Sequence, residues 1–328
     1  MSLIYKAGMY NQEIKEQFLS QMEETSQKTV SYVFYKTSEV EQFYDKDLFS
    51  FSLQQIEEVM KTLNPGSINK ARSDMMNLQN YITWAIRKGY RESNIHPMAG
   101  TDSKWASQFI DNTTKRHYSE EEIDEIVKDL NNAQDQALIQ CLFEGIMGKG
   151  LSELLSMNYN WIDWNENLVT VKDDKDGEER TLKVSDKCMR YIKNAHLQQT
   201  YTGYGDEARE LPLGETDYIF KNTIFKRTKT NEANQLTLLN RLQAIKEYLG
   251  KEKLSPNTIS QSGRIKMAAD LYARDGELKR EQFREIAERF KASKVKQDGR
   301  VYANVSLMKD YINSYNLKEL YDLDIEIE

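Results

Sequence analysis

The chain has 328 residues, 39% of them hydrophobic and 30% charged, a balance that is ordinary for a folded globular protein and excludes a disordered or fibrous one. No apolar run approaches the roughly 20 residues that span a bilayer, and the first residues lack an apolar signal core, so we expect a cytoplasmic protein without membrane contact. Two cysteines and three histidines, scattered along the chain, predict neither a disulfide framework nor a metal site, and no cofactor is expected.

The net charge of −7 is unevenly distributed along the chain. Residues 221–300 contain 19 Lys and Arg against 10 Asp and Glu, a net charge of +9. Residues 99–220 carry −11 and residues 301–328 carry −4. A basic block of this kind is either an ordinary solvated face or a phosphate-binding surface.

Helical periodicity dominates the first hundred residues. The stretch "NQEIKEQFLSQMEET" and the stretch "LFSFSLQQIEEVMKTL" both have apolar residues at helical spacing, and Ser52 is a good N-cap for the second. A long helix, "SINKARSDMMNLQNYITWAIRKGY", follows the turn "NPGS" and should stop at Gly89. We therefore predict a helical domain over residues 1–98, followed by a polar interdomain linker over residues 99–117.

A second domain, residues 118–328, is predicted to begin with a capping box formed by Ser119 and Glu122. A buried helix, "DQALIQCLFEGIM", follows, and after a short sheet the chain returns to helix at "DKCMRYIKNAHLQQ" and is mostly helical from residue 231 onward. The sheet consists of two short strands joined by a charged turn, around Val169, Val171, Thr181 and Lys183.

Three stretches in this order carry a resemblance to a known superfamily. They are "EGIMGKGLSELLSM" at 144–157, "LSPNTISQSGRIKMAA" at 254–269 and "GRVYANV" at 299–305. With the helical N-terminal part and the charged hairpin, they resemble the phage integrases, or tyrosine recombinases, from about residue 35 to 310. The resemblance implies a mainly α fold: a helical, SAM-like core-binding domain plus a mainly helical catalytic-like domain with a small antiparallel sheet.

Members of this superfamily transfer a DNA phosphate to a tyrosine, using arginines and histidines that stabilise the charge of the transition state. The position of their first arginine falls on Gly150 here, and their His-x-x-Arg pair falls on Asn257 and Ser260. Their hairpin lysine and nucleophilic tyrosine match Lys175 and Tyr302. All histidines and tryptophans precede residue 197, so nothing fills the third site. The resemblance therefore implies a pseudoenzyme without catalytic residues rather than an enzyme.

Two interpretations of Tyr302 stay open at this stage. It is either the nucleophile of a divergent, active recombinase that uses Lys175, Arg264 and Lys291, or a buried tyrosine of a helix without chemical function. Arg264 lies four residues past Ser260, one helical turn away, and is the candidate for replacing a lost arginine.

Binding of double-stranded DNA needs phosphate contacts and base contacts but no catalytic pocket. The chain keeps cations where a two-domain DNA clamp would use them. The predicted DNA-binding residues are Lys70, Arg72, Lys115, Arg116, Lys175, Lys226, Arg227, Lys229, Arg264, Lys266, Lys291, Lys294, Lys296 and Arg300.

Within the superfamily, the chain resembles the repressors that SPβ-like prophages use to maintain lysogeny. This implies a sequence-specific transcriptional repressor that binds operator DNA in the bacterial cytoplasm, at the nucleoid. The acidic C-terminal tail, with alternating Leu323, Ile325 and Ile327, is predicted either to form a short edge strand that packs on its own domain, on a second copy or on a regulatory protein, or to be a frayed acidic terminus. A third possibility is an accessory protein that interacts through this tail and does not bind DNA itself.

Overall fold

The computed structural model describes residues 8–110, 115–173, 177–205, 208–225, 230–297 and 300–327. The chain divides into two compact units, Met1–Thr113 and Thr114–Glu328, which are described separately below. Among the described residues, no helix has both the length and the hydropathy needed to cross a membrane.

The first unit is helical, and α3 and α4 begin and end where the sequence predicts, whereas the predicted helix over residues 11–25 ends at Leu19 and the long α2 was not predicted. Ser52 and Gln55 form a capping box at the start of α3, while the hydroxyl of Ser67 caps α4 and Gly89, with φ 76°, ends it. Its elements are α1 (Gln12–Leu19), α2 (Glu24–Tyr44), a 3₁₀ turn (Leu48–Ser50), α3 (Leu53–Leu63), α4 (Ile68–Lys88) and α5 (Ser103–Ser107).

An aromatic group fills the core of this unit. Phe18 of α1 packs edge-on against Tyr81 of α4, with ring centroids 5.1 Å apart, and Phe34 of α2 approaches the same tyrosine at 4.8 Å. Edge-to-face pairs of this kind add to the apolar area that the rings remove from water. The three helices are thereby held around one side chain.

Part of the predicted linker belongs to the first unit. Residues 99–117 include α5, and Ala106 and Phe109 are buried in the first unit's core. Asp102 caps α5 by accepting a hydrogen bond from the N–H of Trp105. The segment is polar overall, but it includes Ala106 and Phe109, which are buried. The prediction of an irregular linker across all of residues 99–117 is therefore wrong.

The second unit is also mainly helical, with small antiparallel sheets. The predicted capping box is present at the start of α6, where Ser119 and Glu122 each accept from the other's backbone N–H. Its helices are α6 (Glu120–Lys128), α7 (Ala133–Phe143), α8 (Ser152–Ser156), α9 (Asp186–Leu197), α10 (Gln235–Tyr248), α11 (Pro256–Asp275), α12 (Arg280–Arg289), α13 (Val305–Lys309) and α14 (Ser314–Tyr321).

The predicted hairpin is present as two strands of a three-stranded sheet. The sheet order is β1-β2-β3, and Val169 of β2 lies opposite Leu182 of β3 while Asp173 lies opposite Glu178. The strands are β1 (Ile162–Asp163), β2 (Leu168–Asp173), β3 (Glu178–Lys183), β4 (Thr200–Thr202), β5 (Glu210–Pro212), β6 (Lys294–Gln297) and β7 (Arg300–Ala303).

Two details of the C-terminal third differ from the prediction. The segment after α12 is not helical, because β6 and β7 form an antiparallel pair there. The tail forms no strand over residues 322–327; instead Leu323, Ile325 and Ile327 pack against a hydrophobic cluster of the same unit. The alternation of the tail therefore reflects one side that faces this cluster and one acidic side that faces solvent.

Helices α7 and α11 approach each other closely in the core of the second unit. A Cβ at Gly263 of α11 would overlap the carbonyl oxygen of Phe143, so only glycine permits α11 to lie this near α7. On the other side of α7, the buried thiols of Cys141 and Cys188 lie 3.9 Å apart and remain reduced. Helix α7 is thus enclosed by α9 and α11.

Candidate nucleic-acid interface

The turn that leads into α8 has three residues with positive φ, a conformation that favours glycine. Gly148 and Gly150 have φ values of 68° and 69°, in the left-handed region, and Leu151 follows at 66°. A left-handed conformation costs a non-glycine residue roughly 1–2 kcal/mol, and the buried side chain of Leu151 offsets that cost by packing. An arginine at position 150 would need the same unfavourable backbone.

A buried carboxylate lies directly beside this turn. Asp173, at the end of β2, accepts a hydrogen bond from the Ser152 hydroxyl at 2.7 Å and one from the Lys149 N–H at 3.2 Å. Its other neighbour is Lys291, whose Nζ lies 3.2 Å from Oδ2. A buried anion therefore lies beside the turn that contains Gly150.

The same hairpin holds two of the predicted phosphate-binding lysines. Lys291 Nζ also lies 3.4 Å from the Glu178 carboxylate, and Lys294 Nζ lies 3.9 Å from it. Burial lowers the pKa of Lys291, but the hydrogen bonds and charges of Asp173 and Glu178 outweigh it and raise the pKa above its ordinary value. Lys291 therefore stays protonated and paired.

Arg180 joins three parts of the second unit. Its Nε and Nη2 bind the two carboxylate oxygens of Glu153, each at 2.7 Å. The remaining N–H groups donate to carbonyls at the end of α7, Gly145 at 2.9 Å, and of α12, Arg289 at 2.6 Å. A planar guanidinium can satisfy a carboxylate and several carbonyls at once, so Arg180 is a structural clamp.

The two positions that match the His-x-x-Arg pair lie on α11. Asn257 is exposed in its first turn, whereas Ser260 is buried and its hydroxyl has no hydrogen-bond partner among the described residues. Neither side chain carries a cation for a phosphate.

Arg264, the candidate replacement, is engaged elsewhere. Its Nη1 donates to the Tyr311 hydroxyl at 2.7 Å, and its guanidinium carbon lies 5.3 Å from the Phe290 ring centroid and 5.9 Å from that of Tyr311. If the Arg264 guanidinium moved towards a phosphate, it would lose this hydrogen bond and its contacts with both rings.

Tyr302 lies on β7, where it pairs with Val295, and its side chain is 37% exposed. Its interpretation as a buried tyrosine of a helix is therefore wrong. Lys175, the other matching position, lies outside the described residues.

Two predicted phosphate contacts lie at the start of α4. Lys70 forms an i, i+4 ion pair with Asp74, whose side chain is buried, and Arg72 is exposed nearby. Burial raises the pKa of Asp74 although Lys70 opposes the shift. Arg72 is the more accessible of the two cations.

Other predicted cations lie beside the acidic helix α6. Lys115 pairs with Glu122 at 2.7 Å, and Lys266 lies 3.2 Å from Glu120. Arg116 is half-buried. Lys226, Arg227 and Lys229 lie outside the described residues, and of Lys296 and Arg300 the structure describes the backbone in β6 and β7 only.

The sequence analysis missed the anionic partners of these cations, above all Asp173, Glu178 and Glu153. One signal was available for Asp173: the alternation of a strand places it on the same face as Val169 and Val171, which are buried. Within the described ranges, no group of three His, Cys, Asp or Glu side chains could hold a metal ion.

Comparison with known proteins supports this architecture. The family described as "MrpR, N-terminal core-binding domain" matches residues 9–88, and "MrpR, C-terminal catalytic domain" matches residues 117–322. The SPbeta prophage-derived uncharacterized protein YopR of Bacillus subtilis (strain 168) is 30% identical over 321 residues, which cover 95% of this chain and 97% of the relative.

Solved structures of integrases share the fold. A lambda integrase dimer bound to a COC′ core site matches 96% of this chain and 80% of its own, with a TM-score of 0.51 and 11% identity. The Tn1549 transposon integrase in complex with circular intermediate DNA matches 93% of this chain and 95% of its own, with a TM-score of 0.50 and 9% identity. The predicted tyrosine-recombinase-like fold is confirmed.

Proposed function

Because the chain belongs to the MrpR family, with matches to both its core-binding and its catalytic domain, we propose that it is a sequence-specific DNA-binding protein that represses transcription in a temperate phage and has lost recombinase activity. Residues 1–98 and 118–328 would each contribute contacts to operator DNA. The relative from the SPβ prophage supports the phage context, since it covers nearly the whole chain.

One observation carries the loss of catalysis. The buried carboxylate of Asp173 accepts a hydrogen bond from Ser152, two residues after Gly150, and holds Lys291. A transferring phosphate needs fixed cations around its non-bridging oxygens, and losing one such donor costs roughly 10²–10³ in rate. An anion at this place would repel the phosphate instead.

The remaining cations support the same conclusion. Arg180 is occupied by Glu153, and Arg264 is held by Tyr311 and Phe290. Moving either guanidinium would break a paired, partly buried contact. Neither of these two arginines is thus available for a transition state.

DNA binding is supported by the fold and by the charge distribution. Both integrase structures compared above contain bound DNA, as their descriptions state. Residues 221–300 keep a net charge of +9 although the whole chain is acidic. Nonspecific affinity for a duplex comes mostly from such phosphate contacts.

The test is a gel shift with fragments of the genome that encodes the chain, at about 50 and about 200 mM salt, with trapping of covalent protein–DNA adducts in the same samples. We expect fragment-specific binding, no adduct and, for 6–10 phosphate contacts, an affinity loss of roughly 10³–10⁵ between the two salt concentrations. An affinity that is the same for all fragments and at both salt concentrations, or no binding at all, would contradict the repressor and favour an accessory protein.

Single variants sharpen this test. Arg72→Gln should reduce the slope of log affinity against log salt by about 0.9, the value for one lost phosphate contact. Lys88→Gln is the matched control, because Lys88 is an exposed cation at the other end of the same helix. Equal salt slopes for the two variants would show that Arg72 does not contact a DNA phosphate.

A divergent recombinase is the second candidate, and the exposure of Tyr302 favours it. An accessible phenol could reach a phosphate without unfolding its surroundings. A covalent adduct that disappears in Tyr302→Phe would establish this enzyme and overturn the proposal above.

A further inference from the structure

We infer that Asp173 and Glu178 limit the salt-dependent affinity for DNA by withholding Lys291 and Lys294 from DNA phosphates, an inference that rests on the proposed DNA-binding function. The two carboxylates lie opposite each other at the end of the β2–β3 hairpin. The two lysines follow α12, in the basic part of the chain. The hairpin thus supplies anions to cations that would otherwise face solvent or DNA.

The position of Asp173 is fixed independently of the lysines. The Ser152 hydroxyl and the Lys149 N–H both donate to its carboxylate, whose side chain is 1% exposed. These donors aim the oxygens and stabilise negative charge in a site that water does not reach. The anion is therefore a permanent feature of the fold and does not depend on a mobile surface side chain.

Lys291 is held from both sides of the hairpin end. Its Nζ lies 3.2 Å from Asp173 and 3.4 Å from Glu178, and its side chain is 17% exposed. To reach a DNA phosphate it would have to give up its ion pair with a buried carboxylate, which is unfavourable. Lys294, at 3.9 Å from Glu178 and largely exposed, is held more weakly.

This arrangement acts on the phosphate contacts, which contribute to the affinity for any duplex. Nonspecific affinity depends on the number of phosphates that cations neutralise, whereas discrimination between sequences depends on base contacts. Withholding two cations lowers the affinity for every duplex equally and leaves base contacts unchanged. The two carboxylates therefore limit the total affinity and its salt dependence, whereas the ratio of operator to nonspecific affinity depends on the base contacts.

The experiment measures the affinity of the full chain for a duplex without operator sequence, across salt concentrations, for Asp173→Asn, Glu178→Gln and the double variant. Glu247→Gln is the control, since Glu247 is exposed on α10 and accepts a hydrogen bond from Gln243 of the same helix. It changes the net charge as much as either single variant does. We expect the salt slope of the double variant to steepen by about 0.9 for each released lysine, relative to this control.

A second readout follows the lysines directly. Acetylation of Lys291 by acetic anhydride, quantified by mass spectrometry, should be faster in Asp173→Asn than in the wild type or Glu247→Gln. Adding Lys291→Gln to the double variant should remove part of the gained salt slope. Glu178→Gln alone changes an exposed side chain, so a smaller gain in slope is expected there without a folding defect.

The outcomes separate this inference from the proposed function. If the wild type binds its fragments specifically but the double variant and Glu247→Gln have equal slopes and Lys291 reactivity is unchanged, this inference alone is overturned. If no variant binds DNA at any salt concentration, the proposed function and this inference both fall.

Discussion

Lys15 Nζ donates to the Glu41 carboxylate at 2.6 Å, and both side chains are completely buried in the first unit. Asp47 lies 3.5 Å from the same Nζ and accepts a hydrogen bond from the Tyr81 hydroxyl at 2.9 Å. Helices α1, α2 and α4 are thus joined by one polar network inside an otherwise apolar core. Such a network rigidifies a core only while every member keeps its partner.

Lys15→Met should destabilise the first unit by about 3–5 kcal/mol, because it removes the buried partner of two buried acidic side chains, Glu41 and Asp47. Urea unfolding of the full chain, followed by tryptophan fluorescence, to which Trp84 in this core contributes, measures the change. Lys28→Met is the control, since Lys28 and its partner Glu24 are both exposed, and it should change stability by less than about 0.5 kcal/mol. Equal stabilities for the two variants would refute the structural role of Lys15.

The stability of the first unit should also fall as pH rises from about 5 to about 8. Burial raises the pKa of Glu41 from 4.5 to about 8, although Lys15 opposes the shift. Between these values the folded chain retains a proton that the unfolded chain has lost, so raising the pH favours unfolding, by up to about 1.4 kcal/mol per pH unit. Full stability is therefore expected below pH 4.5 as far as this group is concerned.

Glu41→Gln is the variant that isolates this effect. Glutamine keeps an oxygen that accepts from Lys15 and cannot ionise, so the pH dependence of unfolding should become flatter than in the wild type. Unfolding curves at pH 5, 6.5 and 8 for both proteins test the expectation. Parallel pH profiles would show that Glu41 does not titrate in this range.

Arg180→Lys should destabilise the second unit by about 3 kcal/mol or more. A lysine cannot bind both Glu153 oxygens and the carbonyls of α7 and α12 together, and Glu153 is buried, so part of its hydrogen-bonding capacity is lost. Arg284→Lys is the matched control on the exposed side of α12 and should cost less than about 0.5 kcal/mol. Thermal unfolding of both variants, at equal protein concentration, compares them.

Much of the helical framework was predictable because its signals are local. Ser52, Ser119 and Gly89 mark helix ends through their own side chains or backbone, and the hairpin strands show apolar alternation. The pair β6 and β7 carried such a signal too: "KVKQ" and "RVYA" alternate around an Asp-Gly pair, a typical hairpin connection. The prediction of a mostly helical segment from residue 231 onward did not include this pair.

The site could be predicted only in part because ion pairs join residues that are distant in sequence. Lys291 meets Asp173 across 118 positions, and Arg264 meets Tyr311 across 47. Periodicity reveals which residues share an element, but not which element lies opposite. The sequence therefore indicated which positions lack the cations that the resemblance implies, and did not show that carboxylates hold several of the cations that are present.

The acidic tail offers the last prediction. Ile325 faces the hydrophobic cluster of its own unit, while its neighbours Asp324 and Glu326 are exposed. Placing a charge there should expel the tail, so Ile325→Asp is expected to lower the stability of the second unit by about 1–2 kcal/mol, the effect of exposing part of one aliphatic side chain. Asp324→Ser, on the opposite side, should have almost no effect.

Sedimentation of the same variants decides whether the tail serves its own chain or another copy. Packing on its own unit predicts that wild type and Ile325→Asp sediment as the same species at low protein concentration, and that only thermal stability differs. A tail that packed on a second copy would instead make the stability of the wild type depend on concentration, and Ile325→Asp would dissociate the assembly. Because the hydrophobic residues of the tail contact a cluster built from α11, α12 and α14, we expect the first outcome.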